Sequence, residues 1–247
     1  MKTFLSRKVL VAFLSLVSFL QVSLQAELSD DVVSVLEANI EASGGREALA
    51  AIKSSRLKGT FSISAMGMTG TSEIVQAYPD KVYSVQTLPG MGEMIQAFDG
   101  EVGWAQDPMQ GFRLLSEGEI ATLKQNESFA DMLDFESAFS GGEVLADADV
   151  NGVMATVLKL IDAESGDEQT HYYSKETGLL LRMDMIADMG PMGKVPASMN
   201  VKSYGEQDGI TYPSLIEMTN AGMLISIGFD SLEVNPEIDD SLFAAPQ

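Results

Sequence analysis

The sequence predicts a mainly β protein of the α+β class: one large antiparallel sheet, few helices, and an apolar interior suited to hold something. Three observations predict it. Between Tyr78 and Leu115 short apolar runs are cut by Pro-Asp, Pro-Gly, Asp-Gly, Asp-Pro and Gln-Gly pairs, which is hairpin punctuation. From Leu57 onward apolar and polar residues alternate with the two-residue period of a half-buried strand. Helical periodicity is confined to the start of the folded region and to one stretch in mid-chain.

The chain begins with a leader. Lys2, Arg7 and Lys8 give a basic start, Val9 to Leu20 form an apolar run, and Leu24-Gln25-Ala26 offers a small-residue cleavage site. Residues 1–26 therefore read as a secretory signal peptide cut near Ala26, and the mature protein is expected to be periplasmic. The apolar run is shorter than the roughly 20 residues that span a bilayer, so cleavage is favoured over anchoring. Residues 27–247 are expected to form a single domain, because no low-complexity linker or internal repeat divides them.

Leu28 to Ala42 reads as an amphipathic helix. Ser29 is its expected cap, Asp30 and Asp31 sit in its positive first turn, and Val32, Val33, Leu36 and Ile40 share one face. Gly44-Gly45 ends it, and Arg46 to Ile52 continues as a second short helix. In the first strand Leu57, Gly59, Phe61, Ile63 and Ala65 point one way, opposite Arg56, Lys58, Thr60, Ser62 and Ser64. Strands follow near 72–78, 81–88, 93–98, 102–106 and 112–115, spaced as in a meander. Ser116 and Glu119 form a capping box for a helix to about Leu133, with Ile120, Leu123, Phe129 and Met132 toward the core. A break is expected at Phe139-Ser140-Gly141-Gly142, and strands resume near 143–148, 153–161, 168–174, 178–186, 198–206, 210–219 and 222–234. Leu179, Leu181, Met183 and Met185 form one apolar row, and Met223, Ile225, Ile227 and Phe229 another. Asn235 to Phe243 reads as a turn followed by a docking segment.

Charge and chemistry narrow the function. The formal net charge is −21, and about −24 once the three basic leader residues are gone, so nucleic acid is excluded as a partner. With no cysteine, disulfides, thiol redox chemistry and a lipid-anchoring thiol are all ruled out. The sole histidine, His171, sits in a predicted strand with no nucleophile motif to serve, and reads as a surface or packing residue. One histidine and no cysteine leave zinc without ligands. Asp147-Ala148-Asp149-Val150-Asn151-Gly152 matches the first half of a calcium loop, but its twelfth position is Leu158, and a β-turn explains the same residues. The chain is thus expected to be non-enzymatic and to carry no cofactor.

Methionine is abundant, 15 in all, with clusters at Met66-Gly67-Met68, Met91-Gly92-Glu93-Met94, Met183-Asp184-Met185 and Met189-Gly190-Pro191-Met192. Flexible thioethers suit the walls of a pocket for variable apolar ligands; core filling and a Cu(I) site are the alternatives. The expected cavity lining is Phe61, Ile63, Met94, Phe98, Trp104, Leu181, Met183, Met185, Met223, Ile225 and Ile227, with Met91, Met189 and Met192 at the mouth. Trp104 has plain packing as its alternative.

An ordered set of short motifs runs through the mature chain: Gly44-Gly45 with Leu49, Pro79-Asp80-Lys81, Pro89-Gly90-Met91-Gly92, Phe98-Asp99-Gly100, Gly103-Trp104 and Thr177-Gly178-Leu179-Leu180. In order and spacing it resembles the periplasmic outer-membrane lipoprotein-sorting proteins of the LolA/LolB-like superfamily, nearest a divergent branch whose domains also occur beside insulinase-type zinc peptidases. The resemblance implies an incomplete antiparallel β-barrel, with N-terminal and mid-chain helices as a lid over an apolar concavity that accepts acyl chains. A lipid or lipoprotein acyl chain is then the expected ligand, a monomer the expected state, and envelope membrane proteins the partner class. Arg56 is a candidate for the lid-locking arginine of such carriers. A copper-binding envelope protein, or an interaction domain with a filled interior, remain the other readings.

Overall fold

The computed structural model describes residues 28–127, 130–188, 193–220 and 222–246. The signal-peptide reading, Phe129, Met189 and Met192 lie outside these residues.

Helix α1 (Asp30–Ala42) forms where the 3.6-residue period places Val32, Leu36 and Ile40 on one buried face. Ser29 does not cap it with its hydroxyl. Its carbonyl instead accepts from the Val33 amide at 3.0 Å, and Asp30 and Asp31 supply the negative charge of the first turn. Gly44 and Gly45 take φ of +127° and +87°, which turns the chain into α2 (Arg46–Ala50).

The chain then meanders through β1 (Ser54–Ile63), β2 (Met68–Ala77), β3 (Lys81–Leu88), β4 (Gly92–Phe98), β5 (Gly103–Asp107) and β6 (Gly111–Leu114). Three short helices follow, α3 (Glu117–Glu127), α4 (Ala130–Leu133) and α5 (Phe135–Ala138), where one longer helix is expected from the sequence. The capping box forms as read: the Ser116 amide donates to Glu119 Oε2 at 2.9 Å, and the Glu119 amide donates back to Ser116 Oγ at 3.3 Å. A second meander completes the molecule: β7 (Phe139–Val150), β8 (Val153–Asp162), β9 (Glu168–Ser174), β10 (Leu180–Asp188), β11 (Lys194–Gln207), β12 (Ile210–Asn220) and β13 (Met223–Val234). The expected break at Gly141-Gly142 lies inside β7. A Cβ on Gly142 would come within 2.8 Å of Leu160 and 3.3 Å of Leu28, so the glycine permits close packing of the strand and does not interrupt it.

Among the described residues thirteen strands form one antiparallel sheet, in the order β6-β5-β4-β3-β2-β1-β13-β12-β11-β10-β9-β8-β7. The only neighbours distant in sequence are β1 and β13, whose pairing sews the two meanders together. At that seam a Cβ on Gly59 would lie 1.8 Å from the Gly228 carbonyl oxygen, at the register shift after Lys58. Strands β6 and β7 form the two edges and, among the described residues, do not pair with each other, so the barrel is incomplete. The helical segment α3–α5 links those edges across the open side, with α3 reaching both β3 and β10. The main core joins α1 to the sheet through Val32, Leu36, Ile40, Leu57, Phe61, Leu158, Leu160 and Phe229.

Candidate functional site: a helix-covered apolar cavity

Between the inner sheet face and helices α1, α4 and α5 lies an open space. Measured over the centres of water-sized groups, it is about 240 Å3. One water takes roughly 10–15 Å3 on that scale, so the space admits on the order of twenty small groups. That is the bulk of one or two acyl chains.

Each wall follows from strand parity. Leu57 pairs with Ile74, and Ile227 pairs with Phe61 and Ile216, so these residues share the inner face. Leu57, Ile74, Ile216, Ile227 and Phe229 line the cavity. Next to them runs a cross-strand row in which Met218 pairs with Met199, Met199 with Met183, and Met183 with His171. All four side chains face the cavity. The roof is Leu36 and Asn39 of α1 with Met132, Phe135 and Ala138 of α4 and α5. Unbranched thioether chains facing space keep several rotamers of similar energy, so this wall adapts to an occupant's shape.

One strand gives the cavity a polar stripe. Gln169, His171 and Tyr173 alternate along β9 and all face inward. Gln169 Oε1 accepts at 2.8 Å from His171 Nε2, which fixes the proton there and leaves Nδ1 to accept from the Tyr173 hydroxyl at 3.0 Å. Burial pushes the imidazole down to about 4, so it is neutral at neutral pH, and it pushes the Tyr173 phenol upward. At one end of the stripe Asp162 accepts from the Ser165 amide and hydroxyl, both at 2.7 Å. At the other, Asn39 Nδ2 donates to the Gly178 carbonyl at 3.0 Å. The neutral histidine, held between tyrosine and glutamine, orders this part of the wall.

The roof is tied down by Arg46. Its guanidinium donates to the Leu133 carbonyl at 3.0 Å, pairs with Glu37, and lies 5.9 Å from the centre of the Phe135 ring. One side chain thus joins α1, α2, α4 and α5. Arg56, a candidate for that role, does not take it: Leu57 faces inward, so Arg56 faces outward, where it meets Glu73 at 3.2 Å and Glu233 at 3.5 Å.

The expected lining is partly brought together. Met183 and Ile227 line the cavity, while Phe61, Ile63, Met94 and Ile225 pack into the same core from the same face. Met185 shares that face but is buried with Ala187 and Ala197. Met223 pairs with Asn220 at the strand's end, away from the lining. Phe98 faces inward and is buried under α3 with Leu115 and Leu123. Leu181 is displaced by a bulge: the register shifts between Leu180 and Arg182, so Leu180 takes the wall position. Trp104 is on the opposite face. It pairs with Ala97, whereas Phe98 and Gly103 form the neighbouring inward pair. There it is only 4% exposed, and its indole N–H donates to the Phe243 carbonyl at 2.8 Å. It is packing for the C-terminal segment, not cavity wall. Met91 is exposed on the turn between β3 and β4, outside the residues that line the cavity.

The methionine clusters disperse: Met66 and Met91 sit exposed on different turns, whereas Met183 and Met185 lie in the core. Among the described residues no three His, Asp or Glu side chains are grouped to hold a metal. The half-matched calcium loop is the tip of the β7–β8 hairpin. Asn151 and Gly152 take φ of +53° and +89° there, and Lys175 pairs with Asp147.

Comparison by sequence finds no matching family model and no matching curated protein. Comparison by structure finds the fold. A DUF1329 family protein from Desulfovibrio piger superposes with a TM-score of 0.60 at 14% identity, over 87% of this chain and 98% of its own. A LolA superfamily protein from Nitrosomonas europaea superposes with a TM-score of 0.60 at 13% identity, over 86% of this chain and 97% of its own. The chain has the LolA-type fold. At such identities the likeness establishes architecture and leaves the ligand to the cavity itself.

Proposed function

We propose that this protein is an exported, non-enzymatic carrier that shields acyl chains of a lipid or lipoprotein from water as they cross the periplasm. The observation that carries the reading is the apolar cavity of about 240 Å3 under a helical roof fastened by Arg46. The driving force is burial of hydrocarbon, about 0.8 kcal/mol per methylene, so a twelve-carbon chain gains roughly 10 kcal/mol before the costs of association. The pliable methionine wall suits chains of differing length, and the LolA-type fold and signal-like leader support an envelope role. Covalent chemistry has no part in it.

The test is titration of delipidated mature protein with a fluorescent diacylated lipopeptide. Wild type is expected to bind, and Met218→Trp, which fills the cavity from a lining position, to weaken binding by about tenfold or more while still folding. If the wild type leaves the probe in solution, the carrier reading fails.

A further inference from the structure

The cavity is not uniformly apolar, and the chemistry of its polar stripe restricts what can lie against it. Among the described residues that line it, none is lysine or arginine, and the cations nearby, Arg46 and Lys194, are paired with Glu37 and Asp167. The buried polar groups, Gln169, His171 and Tyr173, are 5%, 7% and 5% exposed and are joined into one uncharged hydrogen-bonded run. An anionic head drawn into this space would lose its hydration and find no cation among the described lining residues. A neutral polar head meets the opposite situation. The Gln169 carboxamide carries two N–H donors besides the oxygen that His171 uses, and the Tyr173 oxygen keeps acceptor capacity after donating to His171. A carbonyl is matched by the Gln169 N–H donors and a hydroxyl or amide N–H by the Tyr173 oxygen, and an acyl chain extending from either would run along the Met183–Met199–Met218 row.

We infer that the cavity selects chains whose polar group is uncharged, an acyl ester, acyl amide or long-chain alcohol, and discriminates against free fatty carboxylates. The selection is made by the Gln169–His171–Tyr173 stripe. This rests on the carrier reading and adds the class of ligand to it.

The experiment is displacement of the bound fluorescent lipopeptide from the mature protein at mildly alkaline pH by dodecanamide, methyl dodecanoate and dodecanoate. The amide and the ester are expected to displace it at concentrations about tenfold below those needed for the carboxylate, by the cost of stripping water from an unpaired charge. In Gln169→Leu the advantage of the amide over the carboxylate should shrink several-fold, each affinity being taken relative to that of the headless probe diphenylhexatriene in the same variant. Equal displacement by all three, or a better result for the carboxylate, overturns the inference and leaves the carrier reading standing. An amide advantage that Gln169→Leu does not reduce also overturns it. If that variant does not fold, the amide-to-carboxylate ratio in wild type decides. Failure of the lipopeptide to bind at all removes the carrier reading and this inference together.

Discussion

Lowering the pH from 8 to 5 puts the buried imidazole to the test. In the unfolded chain His171 titrates at its ordinary value of about 6.5, so at pH 5 roughly 97% of unfolded molecules carry its proton. In the folded protein burial holds the group down to about 4, and at pH 5 about one molecule in ten is protonated. The unfolded state therefore binds more protons, and stability falls as the pH drops through this window. The linkage relation gives a loss of roughly 2 kcal/mol between pH 8 and 5, levelling off near 3 kcal/mol below pH 4. The structural reason is burial of the imidazole; protonation would also make both ring nitrogens donors and force Tyr173 to reverse its hydroxyl. The assay is urea denaturation followed by circular dichroism at both pH values, for wild type and His171→Gln. The many carboxylates titrate alike in the two proteins, so the difference between their pH losses isolates the histidine. A difference near 2 kcal/mol is expected. Equal losses in the two proteins would mean that the imidazole is solvated, and its place as a buried member of the cavity wall would be wrong.

Two further outcomes follow from the same geometry. Arg46→Ala removes the tie between α1, α2, α4 and α5; because the group is half exposed, global stability should fall by only about 0.5–1 kcal/mol. Amide exchange over residues 130–138 and release of a bound acyl probe should both quicken several-fold, and unchanged exchange there would remove Arg46 from its role in the roof. Gly59→Ala puts a methyl group 1.8 Å from the Gly228 carbonyl oxygen, at the β1–β13 pairing that joins the two meanders, and should cost about 3 kcal/mol or more. A urea midpoint close to wild type would show the β1–β13 register to be different.

Legibility in the sequence tracks the range of the physics. The helix of Val32, Leu36 and Ile40, the Ser116–Glu119 box and the Asp99-Gly100 and Asn151-Gly152 turns are decided by contacts within a few residues, and each stands where its local chemistry places it. The parity of β1 and β13 is equally local, which is why Ile227 faces the cavity beside Phe61's row. Trp104 and Leu181 went elsewhere for two separate reasons. Alternation says that Trp104 and Phe98 lie on opposite faces only once the β4–β5 register is known. One unpaired residue in β10 exchanges Leu181 for Leu180 at the wall.

The sequence by itself determined a mostly antiparallel sheet of hairpins with helices at two points, an acidic chain without thiol chemistry, and a surplus of pliable methionine. These depend on backbone punctuation, residue period and composition, all of which are additive along the chain. Only the tertiary structure decided that Met183, Met199 and Met218, 35 residues apart from first to last, form one row, and that His171 is a neutral member of the cavity wall. It alone also placed Arg46 across four helices. Those facts arise from cross-strand register and from the crossing of α3–α5 between the two sheet edges, contacts that close long loops and leave no local mark in the order of residues.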